Sequence, residues 1–215
     1  MPDISLSIIL RLLLTAAGAY LLGCFNGAVI VSQYILRDDV RTHGSGNAGL
    51  TNFYRTFGGP LTAVVVACDV VKAVLAVLLG LWLVGWPMGW ITLSKYWAGL
   101  WCLLGHMFPC MFRFRGGKGI LSGGTIAIMI DWRVALVVWG GFLILTVLTR
   151  YVSLGSLWAG ASFPFISWYC YPDPAIVVLA FACGGLVVWQ HRGNIQRLLH
   201  GTEAKFKPHT KKHKP

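Results

Sequence analysis

The chain has 215 residues, 56% of them hydrophobic and only 12% charged, with a formal net charge of +11. Soluble domains carry roughly 25% charged residues, which sets a water-soluble fold aside. The cations sit in short loops between apolar runs, which argues against a nucleic-acid-binding surface.

Those runs approach the ~20 residues that a membrane-spanning helix needs, and they recur along the chain. They predict an all-α, polytopic membrane protein. Six cysteines (Cys24, Cys68, Cys102, Cys110, Cys170 and Cys183) are scattered without a CxxC pair and read as small packing residues.

The first run, residues 4–34, follows Asp3 without a basic start and far exceeds a signal-peptide core, so it is expected to be retained. Arg11 lies near its start and Asn26-Gly27 inside it. Arg37-Asp38-Asp39-Val40-Arg41 follows, then the turn Gly44-Ser45-Gly46-Asn47-Ala48-Gly49. This turn should feed a short helix that Ser45 or Asn47 can cap. Thr51, Asn52 and Arg55 then share one helix face, behind an N-terminus of the kind that binds anions. A mere surface cap would not need those three side chains in line, so a functional loop is the preferred reading.

Gly58-Gly59-Pro60 opens a second span, residues 61–84, with Asp69 and Lys72 one turn apart. Charges at that depth are paired or functional, and both a structural pair and a site-supporting pair are open. Trp86, Pro87, Trp90 and Lys95 mark an interfacial loop, and a third span follows at residues 96–112. His106 lies near its end, two turns before Arg113-Phe114-Arg115-Gly116-Gly117-Lys118-Gly119. Three cations and three glycines in those seven residues exceed what a basic turn requires. They predict a phosphate cradle, with backbone N–H groups approaching an anion and cations beside it. It is not a Walker A loop: Phe112 stands in place of the first glycine and Gly119 in place of the Ser or Thr.

Residues 120–130 make a short fourth span, long enough only if tilted or met by a thinned bilayer. Asp131-Trp132-Arg133 turns the chain into a fifth span at 134–148, and Arg150-Tyr151-Val152-Ser153 into a sixth that runs to about 169. A seventh covers 175–189 and ends at His191 and Asn194, which share a face. Glu203, the only glutamate, closes the domain at residues 1–203, and a basic tail occupies 204–215 with Lys205, Lys207, Lys211, Lys212 and Lys214.

With seven spans, 14 of the 18 Lys and Arg residues fall on one side, and so does every polar motif. The positive-inside rule makes that side cytoplasmic, with the N-terminus periplasmic and the C-terminus cytoplasmic. A site of Ser, Asn, Thr, Arg, Lys and His with so few carboxylates suits dianions and offers no metal-ligand cluster. The His-x-x-x-x-Asp pair of thioester-dependent glycerolipid acyltransferases is absent: the fifth residue after His43 is Ala48 and after His106 is Met111. A transporter of phosphorylated metabolites is the alternative, but it would place its site near the midplane between repeats, and no internal repeat is present.

The stretches Gly44 to Asn52 with Arg55, Gly105 to Pro109 with Gly116 to Gly119, Arg150 to Leu154, and His191 to Ile195 with Gly201 to Glu203 resemble the acyl-phosphate-dependent glycerol-3-phosphate acyltransferases of bacteria, the PlsY family. The likeness covers nearly the whole chain, in order and spacing. It departs at Ala48, often proline in the family, and at Cys24-Phe25-Asn26, often serine-rich there.

The resemblance implies a seven-helix inner-membrane enzyme. It would move an acyl group from acyl phosphate to the sn-1 hydroxyl of glycerol 3-phosphate, giving lysophosphatidate and phosphate. Acyl phosphate would come from an acyl-carrier-protein-dependent phosphate acyltransferase, and no cofactor is expected. Ser45, Arg55, His191 and Asn194 would be catalytic. Asn47, Thr51, Asn52, Gly116, Gly117, Lys118, Gly119 and Ser153 would bind substrate, and Asp69, Lys72, His106 and Glu203 would support the site. The proton acceptor is either His191 or the departing phosphate, with the phosphate preferred because the chain offers no carboxylate base.

Overall fold

The computed structural model describes residues 6–206, so most of the basic tail lies outside the described residues. Within them the chain forms helices, turns and no strand. The helices are α1 (Leu6–Cys24), α2 (Gly27–Ile30), α3 (Leu50–Thr56), α4 (Leu61–Gly80), α5 (Trp86–Met88), α6 (Ile91–Met107), α7 (Ile120–Ile130), α8 (Trp132–Thr149), α9 (Val152–Cys170), α10 (Pro174–Gln190) and α11 (Arg192–Leu199).

By length and apolarity three segments can cross a bilayer: Leu6–Ile35, Leu61–Met88 and Trp132–Thr149. A fourth is formed if α10 and α11, bent by 54° at His191, count as one. The helix α6 is shorter, with 17 residues, and α9, with 19, carries four serines and two glycines. At 1.5 Å per residue α7 spans only about 17 Å, well under the ~30 Å of bilayer hydrocarbon.

The sequence predicts a first helix running through Asn26, and the structure breaks it there. Asn26 is fully buried, so both ends of its amide need partners; an unpaired one would cost about 1–3 kcal/mol. Its Oδ1 accepts from Val29 N–H at 3.1 Å, capping α2, and its Nδ2 donates to Ala48 O at 3.0 Å. The third helix is also shifted: α6 starts at Ile91, taking in Lys95, and stops before Pro109, since the residue preceding a proline disfavours helix.

The central element is α6, packed against α1, α4, α7 and α10. Small residues allow the close approach: a Cβ on Gly105 would overlap Tyr20 O, and one on Gly23 would overlap Cys102 O. The helices α8, α9 and α10 pack in sequence, joined to the centre by α7–α8 and α6–α10 contacts. Only Val134 and Val138 of α8 are buried, and Leu136, Leu143, Ile144, Val147 and Leu148 are exposed in an apolar outer face suited to lipid. Lys118 and Gly119 lead into the short α7, with Gly119 at its N-cap position.

Candidate active site

The loop between α2 and α3 is built on Asn52. Its Nδ2 reaches the carbonyls of Val40, His43 and Asn47 at 3.0, 3.0 and 3.1 Å, and its Oδ1 accepts from Ser45 N–H at 3.1 Å. Gly44, at φ +55°, approaches that amide so closely that a Cβ would overlap Oδ1. Most of the Asn52 amide's hydrogen-bonding capacity is therefore used in folding the loop, while the residue itself lines the cavity. Neither Ser45 nor Asn47 caps α3; Gly49 occupies the N-cap position, with no side-chain hydrogen bond. Ser45 is exposed at the loop tip.

Arg41 ties this loop to the glycine-rich one. It pairs with Asp39 at 2.8 Å and donates to Phe112 O at 2.9 Å and Arg115 O at 3.2 Å. Hydrogen bonds from Arg41 hold the Asp39 carboxyl down at about 2, so the pair stays ionised at any physiological pH.

The glycines after Arg115 do not form the predicted cradle. Gly116 N–H donates to Met107 O and Gly117 N–H to His106 O, both at 3.1 Å, and neither residue lines the cavity. A Cβ on Gly116 would overlap His106 O, and one on Gly117 would overlap His106 Nε2. These two glycines let the loop lie against the end of α6, leaving Lys118 and Gly119 as the part that faces the site. Gly119, at φ +78°, is the N-cap residue of α7.

Lys118 Nζ donates to Asn194 Oδ1. Asn194 Nδ2 donates to Glu203 Oε1 at 2.7 Å, and Arg197 Nε donates to Glu203 Oε2 at 2.7 Å. The Ser153 hydroxyl is buried beside the Glu203 carboxylate without reaching hydrogen-bond geometry. Burial, with the charge of Arg197 adding to it, lowers the Lys118 ammonium to about 8. Burial opposes ionisation of Glu203, but the donors around it outweigh that and hold it below the usual range. His191 is buried, and its Nδ1–H donates to Val187 O at 2.7 Å, which leaves the Nε2 lone pair open. Burial depresses this ring to about 4, so it is neutral near pH 7.

These groups meet in one cavity of about 580 Å³. Ser45, Asn47, Thr51, Asn52 and Arg55 line it together with Lys118, Gly119, Ser153, His191, Asn194 and Glu203, and so do Asp69 and His106. Lys72 is behind them, 2.7 Å from Asp69 Oδ1. Leu50, Ile120, Leu121, Trp139, Phe142 and Val152 add an apolar wall. Gly119 and Ile120 are shared with a second, largely apolar pocket of about 40 Å³ among α6 to α10. Sequence reading missed Arg197 and Thr202, which also line the cavity. Arg197 was detectable, since it stands one turn beyond Asn194 on the same helix.

The cavity carries the cations of Arg55, Lys118 and Arg197 against the carboxylates of Asp69 and Glu203, a balance that favours anions, beside an apolar recess. Among the described residues no group of His, Cys, Asp and Glu is placed to hold a metal ion.

A family model for glycerol-3-phosphate acyltransferase matches residues 13–201. A glycerol-3-phosphate acyltransferase of Thermoanaerobacter pseudethanolicus is 39% identical over 193 residues, covering 90% of this chain and 94% of that one. Another, of Photobacterium profundum, is 36% identical and covers 90% and 92%. The crystal structure of PlsY, an integral membrane glycerol 3-phosphate acyltransferase, in its glycerol 3-phosphate form, superposes with a TM-score of 0.82 at 31% identity, covering 91% of this chain and 96% of that one. Its lysophosphatidic acid form gives a TM-score of 0.78.

Proposed function

Starting from the chain's membership of the glycerol-3-phosphate acyltransferase family, in its integral membrane PlsY type, we propose that it transfers a fatty acyl group from acyl phosphate to the sn-1 hydroxyl of glycerol 3-phosphate. The observation that carries this reading is the hydrogen-bonded series Lys118–Asn194–Glu203–Arg197, which lines one cavity with Ser45, Thr51 and Arg55, a cavity that shares Gly119 and Ile120 with an apolar recess. Two phosphate-bearing substrates and one acyl chain need that combination.

In this reading Lys118 and Arg197 take the phosphate of glycerol 3-phosphate, and Ser45, Thr51 and Arg55 take the phosphate of the donor. The acyl chain lies along Trp139, Phe142 and Ile120. Bringing two anions together and screening their repulsion supplies much of the catalysis, because acyl phosphate is already activated. The sn-1 oxygen bonds to the acyl carbon as the acyl C–O bond to phosphate breaks. His191 Nε2 accepts a hydrogen bond from the attacking hydroxyl and orients it. A ring with so low a proton affinity is a weak base, so the leaving phosphate takes the proton. The products are lysophosphatidate and inorganic phosphate.

The same reading gives seven membrane passages, with the site on the cytoplasmic face of the inner membrane. Support comes from the 14 cations on that side, with the N-terminus opposite. Acyl phosphate then arrives from a phosphate acyltransferase that draws on acyl carrier protein. Purified protein given acyl phosphate and glycerol 3-phosphate should form lysophosphatidate; comparable turnover with acyl-CoA would overturn the choice of donor.

A further inference from the structure

The buried group Asp69, Lys72 and His106 takes no direct part in the chemistry above, yet two of its members line the cavity. All three side chains are at most 4% exposed. The Lys72 ammonium lies 2.7 Å from Asp69 Oδ1 in an ion pair without hydrogen-bond alignment, is hydrogen-bonded to His106 Nδ1 at 2.7 Å, and donates to Phe25 O at 2.9 Å. An ammonium donates and never accepts, so His106 Nδ1 is the acceptor and carries no proton. A ring charged on both nitrogens would place two cations in contact inside an apolar core. The ring proton is therefore on Nε2.

Among the described residues His106 Nε2 forms no hydrogen bond, although His106 is buried and lines the cavity. Gly117 packs so closely against Nε2 that a Cβ there would overlap it, which leaves the cavity as the direction open to the N–H. A buried donor without a protein acceptor points to an acceptor supplied by the ligand.

We infer that His106 Nε2–H donates a hydrogen bond to a substrate oxyanion in the cavity, and that Lys72, held by Asp69, is the positioning residue that fixes the required tautomer. The inference rests on the proposed reaction for the identity of the oxyanion, a phosphoryl oxygen or the oxygen of the attacked carbonyl. It rests on geometry alone for the donor itself.

The test uses the full chain in nanodiscs with nitrogen-15 histidine. The free protein should show the His106 ring as the Nε2–H tautomer. Glycerol 3-phosphate, or a non-hydrolysable acyl phosphonate, should move that N–H resonance, and the ligand that does so identifies which oxygen is bound. Lys72→Met should mix the two tautomers. In kinetics His106→Leu should lower kcat about tenfold to a hundredfold, the range of one hydrogen bond to a charged group. His106→Gln, whose amide can donate from near the Nε2 position, should recover most of the loss.

An Nδ1–H tautomer in the free protein would overturn the inference. So would a resonance that neither ligand moves, or equal losses for Leu and Gln. If the resonance moves with glycerol 3-phosphate but no lysophosphatidate forms, the acyltransferase reading falls and the donor assignment stands.

Discussion

Lys118 and Asn194, 76 residues apart in sequence, meet where Lys118 Nζ donates to Asn194 Oδ1. The contact joins the glycine-rich loop before α7 to the first turn of α11, and so brings two polar segments distant in sequence to one cavity.

If Lys118 acts on the phosphate of glycerol 3-phosphate, Lys118→Met should raise the KM for that substrate on the order of tenfold to a hundredfold, with a smaller effect on kcat. Steady-state kinetics with each substrate varied in turn decides this. An unchanged KM would assign the substrates to the loops the other way round.

Ser45 lines the same cavity, its hydroxyl unused by the loop that carries it. If it meets the donor where charge develops, Ser45→Ala should lower kcat while the KM for glycerol 3-phosphate barely moves. A raised KM with unchanged kcat would contradict it.

The free enzyme should lose affinity for glycerol 3-phosphate as pH rises through about 8, because Lys118 then gives up its proton. The substrate phosphate, with a second pKa of about 6, is already a dianion there. The profile of kcat/KM, which reports the free enzyme, should therefore fall on the alkaline side. Lys118→Arg should remove that limb, since guanidinium stays charged. A flat profile to about pH 9.5 in the wild type would count against it.

Glu203 is held below its ordinary value in the fold, so its contribution to stability is present above the unfolded value and is lost as pH falls through the folded one. Thermal melts taken from about pH 6 down to about pH 3 should show an acid limb that Glu203→Gln makes shallower. The same limb in both proteins would show that the carboxylate contributes nothing.

Gly117→Ala should destabilise by about 1–3 kcal/mol, the usual cost of overpacking, because its Cβ would overlap the His106 ring. Denaturant unfolding measures it. A variant as stable as wild type would restore the cradle reading of that glycine.

Much of the site was readable in sequence because charged and amide side chains stand out in so apolar a chain. Lys118, His191, Asn194 and Glu203 were named on that basis and line one cavity. What escaped depends on which partner a polar group finds in three dimensions. The N–H groups of Gly116 and Gly117 were expected to face an anion, but the end of α6 supplies carbonyls nearer to hand. Asn52 stands with the expected binding residues because it shares a helix face with Thr51 and Arg55 and matches the family resemblance, but a buried amide inside a tight loop satisfies the loop first. The break at Asn26 was hidden for the same reason: its two partners, Val29 N–H and Ala48 O, become visible only once the chain folds back.

The exposure of α8 has a further consequence. Trp139 and Phe142 line the cavity from a helix whose outer face, at Val147 and Leu148, is 73% and 77% exposed. If the donor is the long-chain acyl phosphate of the proposed reaction, dissolved in the bilayer, it should reach the cavity sideways past α8. Its working concentration is then a mole fraction in the membrane, and inert lipid added at constant donor should slow turnover by surface dilution. Glycerol 3-phosphate, coming from water, should be indifferent to it.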